Sequence, residues 1–320
     1  MAAVLALMAL APWTAECVWG GFAVVDWPFV ILFLAPQYGG AAVLIREVAR
    51  RTGGGWPAIA LLAAAFGFVQ AGLVDQSLFN PAFLDGTGFA ADAASARATW
   101  VPGLDFSGQQ AFSYVGGHVA LSICAPIAIV ETLARRPGPW LGKRGLAVIA
   151  VGYVLGSLLI FRDVYADEHF FAAPVQVAFT VAVALLLIMA AQRKPKPRTG
   201  RAPHPLVVGA VAALPHVAGG LAPGWAGVAI QAAVLTLAVA LIVRWSGGFD
   251  QRHVLAGWGA GLVVSAAIAC LVPTYAPSTP AMALLSDVCT SLVTATLIGV
   301  TWWRREHLIA STEQSDPRTV

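Results

Sequence analysis

Gln110, Tyr114, His118 and Ser122 recur every four residues inside an apolar stretch, and at 100° per residue such a set drifts only about 40° per step around a helix. One polar stripe results. An imidazole flanked by amide and hydroxyl groups can exchange a proton near neutral pH or hold a ligand, and a hydrogen bond between helices is the structural alternative. A stripe of this kind cannot face lipid; it must face other helices or a wet cavity.

Further polar groups stand in equally apolar surroundings. In "FGFVQAGLVDQSLFNP" (66–81) Gln70 is followed by Asp75 and Gln76 at the end of the stretch, an amide at depth and then a carboxylate where water reaches and a solvated helix end is the plainer reading. "APQYGGAA" (35–42) sets Gln37 beside Pro36 and ahead of Gly39 and Gly40, which predicts a kink whose freed carbonyl needs a partner. Asp287, Thr290, Ser291 and Thr294 share one helical face. An acid at that depth costs on the order of 2–3 kcal/mol on insertion scales near the membrane centre, so an ion or proton site competes with helix packing as its explanation. Glu16 is a shallower case, ranked below Asp287, and Glu131 precedes Arg135 by four residues, an expected ion pair at a helix end.

The elements that carry these groups are membrane helices. Of the 320 residues 58% are hydrophobic and 11% charged, and apolar runs of about 20 residues, enough to cross a hydrocarbon layer, recur along the chain. Ten spans are expected: 3–24, 27–48, 56–77, 109–133, 144–164, 170–191, 205–222, 224–244, 253–274 and 279–303. The first resembles a signal peptide with Ala9 and Ala11 near a cleavage point, but no Lys or Arg precedes its apolar run, and it is read as a retained span. The fold class is therefore all-α, a polytopic bundle forming one integral membrane domain over 1–320: spans 1–6 within 1–191, a basic linker at 192–205, spans 7–10 within 205–303, and a tail at 304–320.

Charge placement supports the count. With both termini cytoplasmic, that side receives seventeen of the 19 Lys and Arg residues, from Arg46, Arg50 and Arg51 through Arg136, Arg198 and Arg252 to Arg318, and only Arg97 and Arg162 fall outside. The net charge of +3 thus reports orientation, not nucleic-acid binding. "QRKPKPRTGRAPHP" (192–205) suits an anionic lipid surface. The long outer loop (77–108) scatters Phe and Trp among Gly, Pro and Asp and is expected to be a partly ordered lid. "RDVYADEHFF" (162–171) concentrates acids at an outer turn, read as a solvated loop over a divalent-ion site, and Cys17, Cys124, Cys270 and Cys289 are read as small buried groups.

"LPHVAGGLA" (214–222) repeats the order Pro, polar residue, Gly pair with His216 in place of Gln37. Two five-helix halves of opposite direction would put these stretches at matching places, as in inverted-repeat transporters, although the basic linker follows the sixth span and the match is open to chance.

"GFVQAGLVD" (67–75) resembles in outline the signature of the CAAX-type intramembrane proteases, in which two adjacent glutamates are followed four residues later by arginine, with histidines on later helices. Gln70 and Ala71 occupy the glutamate places and Asp75 the arginine place; His118 and His216 follow in the order of the later histidines. The resemblance implies a non-hydrolytic relative, because an amide cannot serve as the general base. The stretch from "IREVARRTGGGWP" to "DQSLFNP" also looks like uncharacterised multi-span proteins of high-GC Gram-positive bacteria.

No Walker loop, HExxH, GxSxG or dinucleotide glycine fingerprint is present. The expectation is a small-molecule permease or exporter of the bacterial plasma membrane, with a midplane site from Gln37, Gln70, His118, His216 and Asp287 supported by Gln110, Tyr114, Ser122, Thr290, Ser291 and Thr294. A membrane enzyme using spans 1–4 and a structural protein are the alternatives. Membrane lipids and a small molecule or proton are the expected partners; no nucleic acid, cofactor or metal is expected.

Overall fold

The computed structural model describes residues 1–134, 136, 138–194 and 198–314, with 305–314 as backbone only. Arg135, Lys196 and Arg318 lie outside the described residues, and the side chain of Arg305 does too. The molecule is an all-α bundle of α1 (Ala2–Cys17), α2 (Trp27–Thr52), α3 (Gly55–Val74), a short loop helix α4 (Ala90–Ala96), α5 (Gly108–Ala134), α6 (Lys143–Glu168), α7 (Pro174–Ala191), α8 (Pro205–Leu221), α9 (Gly224–Gly248), α10 (Gln251–Ala269) and α11 (Pro280–Gln314). Eight of these are long and apolar enough to cross a membrane, and α1 and α8 are shorter apolar helices.

Each expected span has its helix, with shifted ends. The first stops at Cys17 because the chain turns at Gly20, whose φ of +84° suits glycine. The fifth runs on to Glu168, so Asp163, Asp167 and Glu168 lie on the last turns of α6 and not in a loop. Among the described residues no three His, Cys, Asp or Glu side chains are grouped to hold a metal.

The core sits where α1 crosses α2, α3 and α5. Leu7, Ala11, Ala42, Val43, Ile59, Ala63, Ile123 and Ile127 are buried there in one cluster, and α1 is integral to it. Small residues set the spacing: a Cβ on Gly39 would fall 2.5 Å from the Cα of Met8, and one on Gly156 would fall 3.0 Å from the backbone nitrogen of Gln37. In lipid, where burial of apolar surface gives helices no preference for each other, such close backbone approach is what holds a bundle together. Cys17 and Cys124 are buried as expected, whereas Cys289 is half-buried and Cys270 is exposed, since it follows the last turn of α10.

Helix ends sort by charge. Arg51 bonds the carbonyl of Leu141, Gln251 bonds Thr132, and Gly247 packs on the backbone of Arg198, which gathers the arginine-bearing ends of α2, α5, α9 and α10 at one end of the bundle. The loop 75–107 lies at the other end and is ordered. It contains α4 and a two-residue hairpin, β1 (Trp100–Val101) against β2 (Phe106–Ser107). Gln176 on α7 donates to the Leu104 carbonyl (3.0 Å), the Ala172 amide donates to Gln76 (2.7 Å) and Asn80 donates to Glu168 (3.1 Å). The loop is thereby pinned across the ends of α6 and α7.

Candidate functional site

Among the described residues four helices contain a π-turn, and each turn carries a polar residue. The π-turns are Trp13–Cys17 in α1, Ala35–Gly39 in α2, Gln70–Val74 in α3 and His118–Cys124 in α5. They carry Glu16, Gln37 with Tyr38, Gln70, and His118 with Ser122. A π-turn inserts one residue into the helical ladder, rotates the side chains beyond it and leaves a backbone group without its usual partner, which is why such turns collect at functional sites. Two causes are visible in sequence: Pro12 and Pro36 each remove a backbone donor at or beside a turn. Thr14 adds to the first by donating to the carbonyls of Leu10 (3.1 Å) and Ala11 (3.0 Å).

The four turns join into one polar cluster. The Tyr38 hydroxyl donates to Glu16 Oε1 at 2.6 Å, Gln37 donates to Gln70 Oε1, and Gln70 Nε2 donates to Asp75 Oδ2 at 3.0 Å. The other oxygen of Asp75 accepts the amide of Ser77 at 2.9 Å. This chain of bonds fixes both amides, because an ionised carboxylate only accepts: Asp75 takes the NH2 of Gln70, so Gln70 turns its oxygen to Gln37, and Gln37 must meet it with nitrogen. The Oε1 of Gln37 is left without a partner, on a side chain that is wholly buried. Rings of Tyr38 and Phe66 flank His118 at 5.8 and 5.7 Å, and its Nδ1 lies 3.1 Å from Ser122 Oγ.

These groups line a cleft of about 2340 Å³ whose walls come from α1, α2, α3, α5 and the end of α6 and from α8, α9 and α10. Gln110, Tyr114, His118 and Ser122 all face it, as the stripe requires. At one end lie Asp75, Glu168 and Tyr275, and at the other Arg50, Arg198 and Asp250. Phe83, Leu84 and Phe89 from the loop cover the former end, where Trp19 meets Phe89 and Tyr275 edge-on at 5.7 and 6.3 Å.

Of the five residues expected to share a site, Gln37 and Gln70 touch, and His118 joins them through Tyr38. His216 lines the opposite wall, exposed to the cleft and close to Gly261 of α10. Asp287 does not line the cleft. It is buried where α11 crosses the end of α1, near Gly20, and Thr290 beside it donates to the Cys17 carbonyl at 3.4 Å. Thr290 and Thr294 are buried and Ser291 half-buried along the same helix. That polar face packs helices. The stretches around Gln37 and His216 also differ locally, for α2 continues beyond its π-turn to Thr52, whereas α8 ends in a 3-10 turn at Gly219–Leu221.

Glu16 and Tyr38 are more central than their sequence suggests, and Asp75 is tied into the cluster where a solvated cap was the plainer reading. The signal available for Glu16 was an acid inside an apolar run; nothing marked Tyr38.

A second polar cluster lies at the basic end. Arg46, counted among the cytoplasmic-side charges, is wholly buried: its Nε donates to Glu131 (2.9 Å), its Nη1 to Glu47 (2.8 Å), and its Nη2 to the carbonyls of Arg136 (3.0 Å) and Gly138 (2.9 Å). Trp140 stacks on the guanidinium with its ring centre 3.5 Å away. Glu131 is also held by Arg50 (2.8 Å), so Arg46 and Arg50 are its partners here, whereas the expected Arg135 lies outside the described residues.

Compared with known proteins, the chain matches no family model, no curated protein and no solved structure.

Proposed function

We propose that this integral membrane protein is a permease or exporter of a small molecule, with the cluster of Glu16, Tyr38, Gln37, Gln70, Asp75 and His118 as its binding station. One observation carries the reading: a single cleft between two groups of helices has walls at both the acidic and the arginine-bearing end. Its volume of about 2340 Å³ exceeds the roughly 300–1,000 Å³ of a fitted small-molecule pocket, which suits a passage. The unpartnered Gln37 Oε1 and Tyr114 hydroxyl on its wall argue against a scaffold, in which buried polar groups pair off.

A membrane-embedded enzyme is the second reading, favoured by the gathering of the polar cluster on α1, α2, α3 and α5 alone. A non-hydrolytic relative of the CAAX-type proteases would be of this kind.

Access separates the two. In a chain whose native cysteines are replaced by serine, Ala64→Cys on α3 and Ala212→Cys on α8 both face the cleft. Membrane-impermeant maleimide should label each from both faces in vesicles of opposite orientation. Labelling from one face only would remove the permease and leave the enzyme.

A further inference from the structure

We propose that the ligand of this cleft is a lipophilic organic cation, held between the carboxylates of Glu16 and Asp75 and the aromatic faces of Trp19, Tyr38 and Tyr275. The inference rests on reading the cleft as a ligand site and adds the charge of what enters it.

The first argument is a contrast within the molecule. Glu47 and Glu131 are buried acids, and each is neutralised by arginine at 2.8–3.1 Å. Glu16 and Asp75 receive only neutral donors, a tyrosine hydroxyl in one case and an amide side chain with a backbone amide in the other. Among the described residues neither forms an ion pair, although both face the cleft, and Tyr38 lies within electrostatic reach of both. A carboxylate in low dielectric without a cation is neutralised either by a proton or by a cation that enters, and the cleft gives a cation access to both acids.

The second argument is the composition of that end of the cleft. Its described charged walls are acids, Glu168 among them, while Arg50, Arg136 and Arg198 stand at the opposite end. Rings of Trp19, Phe22 and Tyr275 meet at 6.3 Å over the mouth, and ring faces attract cations but not anions. No three His, Cys, Asp or Glu side chains are grouped to hold a bare metal ion among the described residues.

The third argument starts from Asp75 as an ionised carboxylate, which only accepts. Gln37 Oε1 is wholly buried, is forced by the bonding order to be an oxygen and has no donor. In the same bonded cluster as Asp75, it is one more acceptor awaiting a donor, which an ammonium or amidinium headgroup supplies and an anion does not.

Tetraphenylphosphonium and tetraphenylborate have nearly the same shape and opposite charge, so saturable binding of each to the purified full chain, by equilibrium dialysis, tests the inference directly. The phosphonium should bind at least about tenfold more tightly than the borate, and Glu16→Gln and Asp75→Asn should each weaken phosphonium binding by about tenfold or more. Equal or preferred binding of the borate, no saturable binding of either ion, or variants that fold and bind as the wild type would overturn it. The comparison of the two ions on the wild-type chain stands even where a variant does not fold. One-sided maleimide labelling would remove the passage while leaving the cation, and a preferred borate would remove the cation while leaving the passage.

Discussion

Two polar clusters share α2 and α5, roughly 12–20 Å apart along those helices, and they solve the problem of buried charge in opposite ways. At the basic end every nitrogen of Arg46 has an acceptor, and Glu47 and Glu131 are each bonded more than once. The backbone there is regular α-helix. At the π-turns acids lack cations, an amide oxygen is spare and four helices deviate together. A saturated network in low dielectric rigidifies, whereas a partly satisfied one costs stability and persists where it serves a purpose. The first cluster is therefore read as a clamp and the second as a site.

Stability should separate them most sharply. Arg46→Met takes the wholly buried cation from between two carboxylates and a donor from two loop carbonyls, and breaking a buried pair in this way costs about 3–5 kcal/mol. Detergent-solubilised protein should lose most of its folded fraction in size-exclusion and thermal-melt measurements. Arg46→Lys should not rescue it, because an ammonium cannot reach four acceptors in the guanidinium's fork. A melt near that of the wild type would show that the cluster is no clamp.

The converse change belongs to the site. Gln37→Leu removes an unpaired oxygen along with one bond to Gln70, so its stability change should stay within about 1 kcal/mol, while ligand binding or transport falls by about tenfold. His118→Ala should likewise impair activity and leave insertion intact. Asp287→Asn, by contrast, should leave activity unchanged, because that residue packs α11 on α1 away from the cleft. Loss of activity in Asp287→Asn with normal Gln37→Leu would move the site to α11.

The ten apolar helices, eight of them long enough to cross a membrane, were readable because hydropathy is a property of single segments, and the inward stripe on α5 was readable because it needs only helical periodicity. The π-turns were half readable. Pro36 announced a disturbance, but an extra residue in the ladder, and hence the turning of Tyr38 toward Glu16, depends on what α1 and α6 press against α2. The burial of Arg46 was not readable for a related reason: charge counting assigns a side, and only packing shows that Glu131, 85 residues away, waits beside it. Asp287 carried the same sequence signal as Glu16, an acid in an apolar helix, and nothing local tells which of two such helices faces the cleft.

The smallest effect tests whether the far end of the cleft is structural like the clamp. Asp250 is the N-cap of α10 and accepts the amides of Arg252 (2.9 Å) and His253 (3.2 Å). Partial burial pushes its carboxyl up, but the bonds from the His253 side chain and backbone outweigh this and hold it below the usual range. A depressed value means that the folded state favours the ionised form, so the stabilisation is complete above the ordinary carboxylate range and fades as pH falls through it. Asp250→Ala should cost about 1 kcal/mol at neutral pH, the usual worth of an N-cap, and the difference from wild type should shrink toward pH 3. Phosphonium binding should not change, since Asp250 stands at the arginine end of the cleft; a parallel loss of binding would make that end part of the site and erase the division between clamp and station.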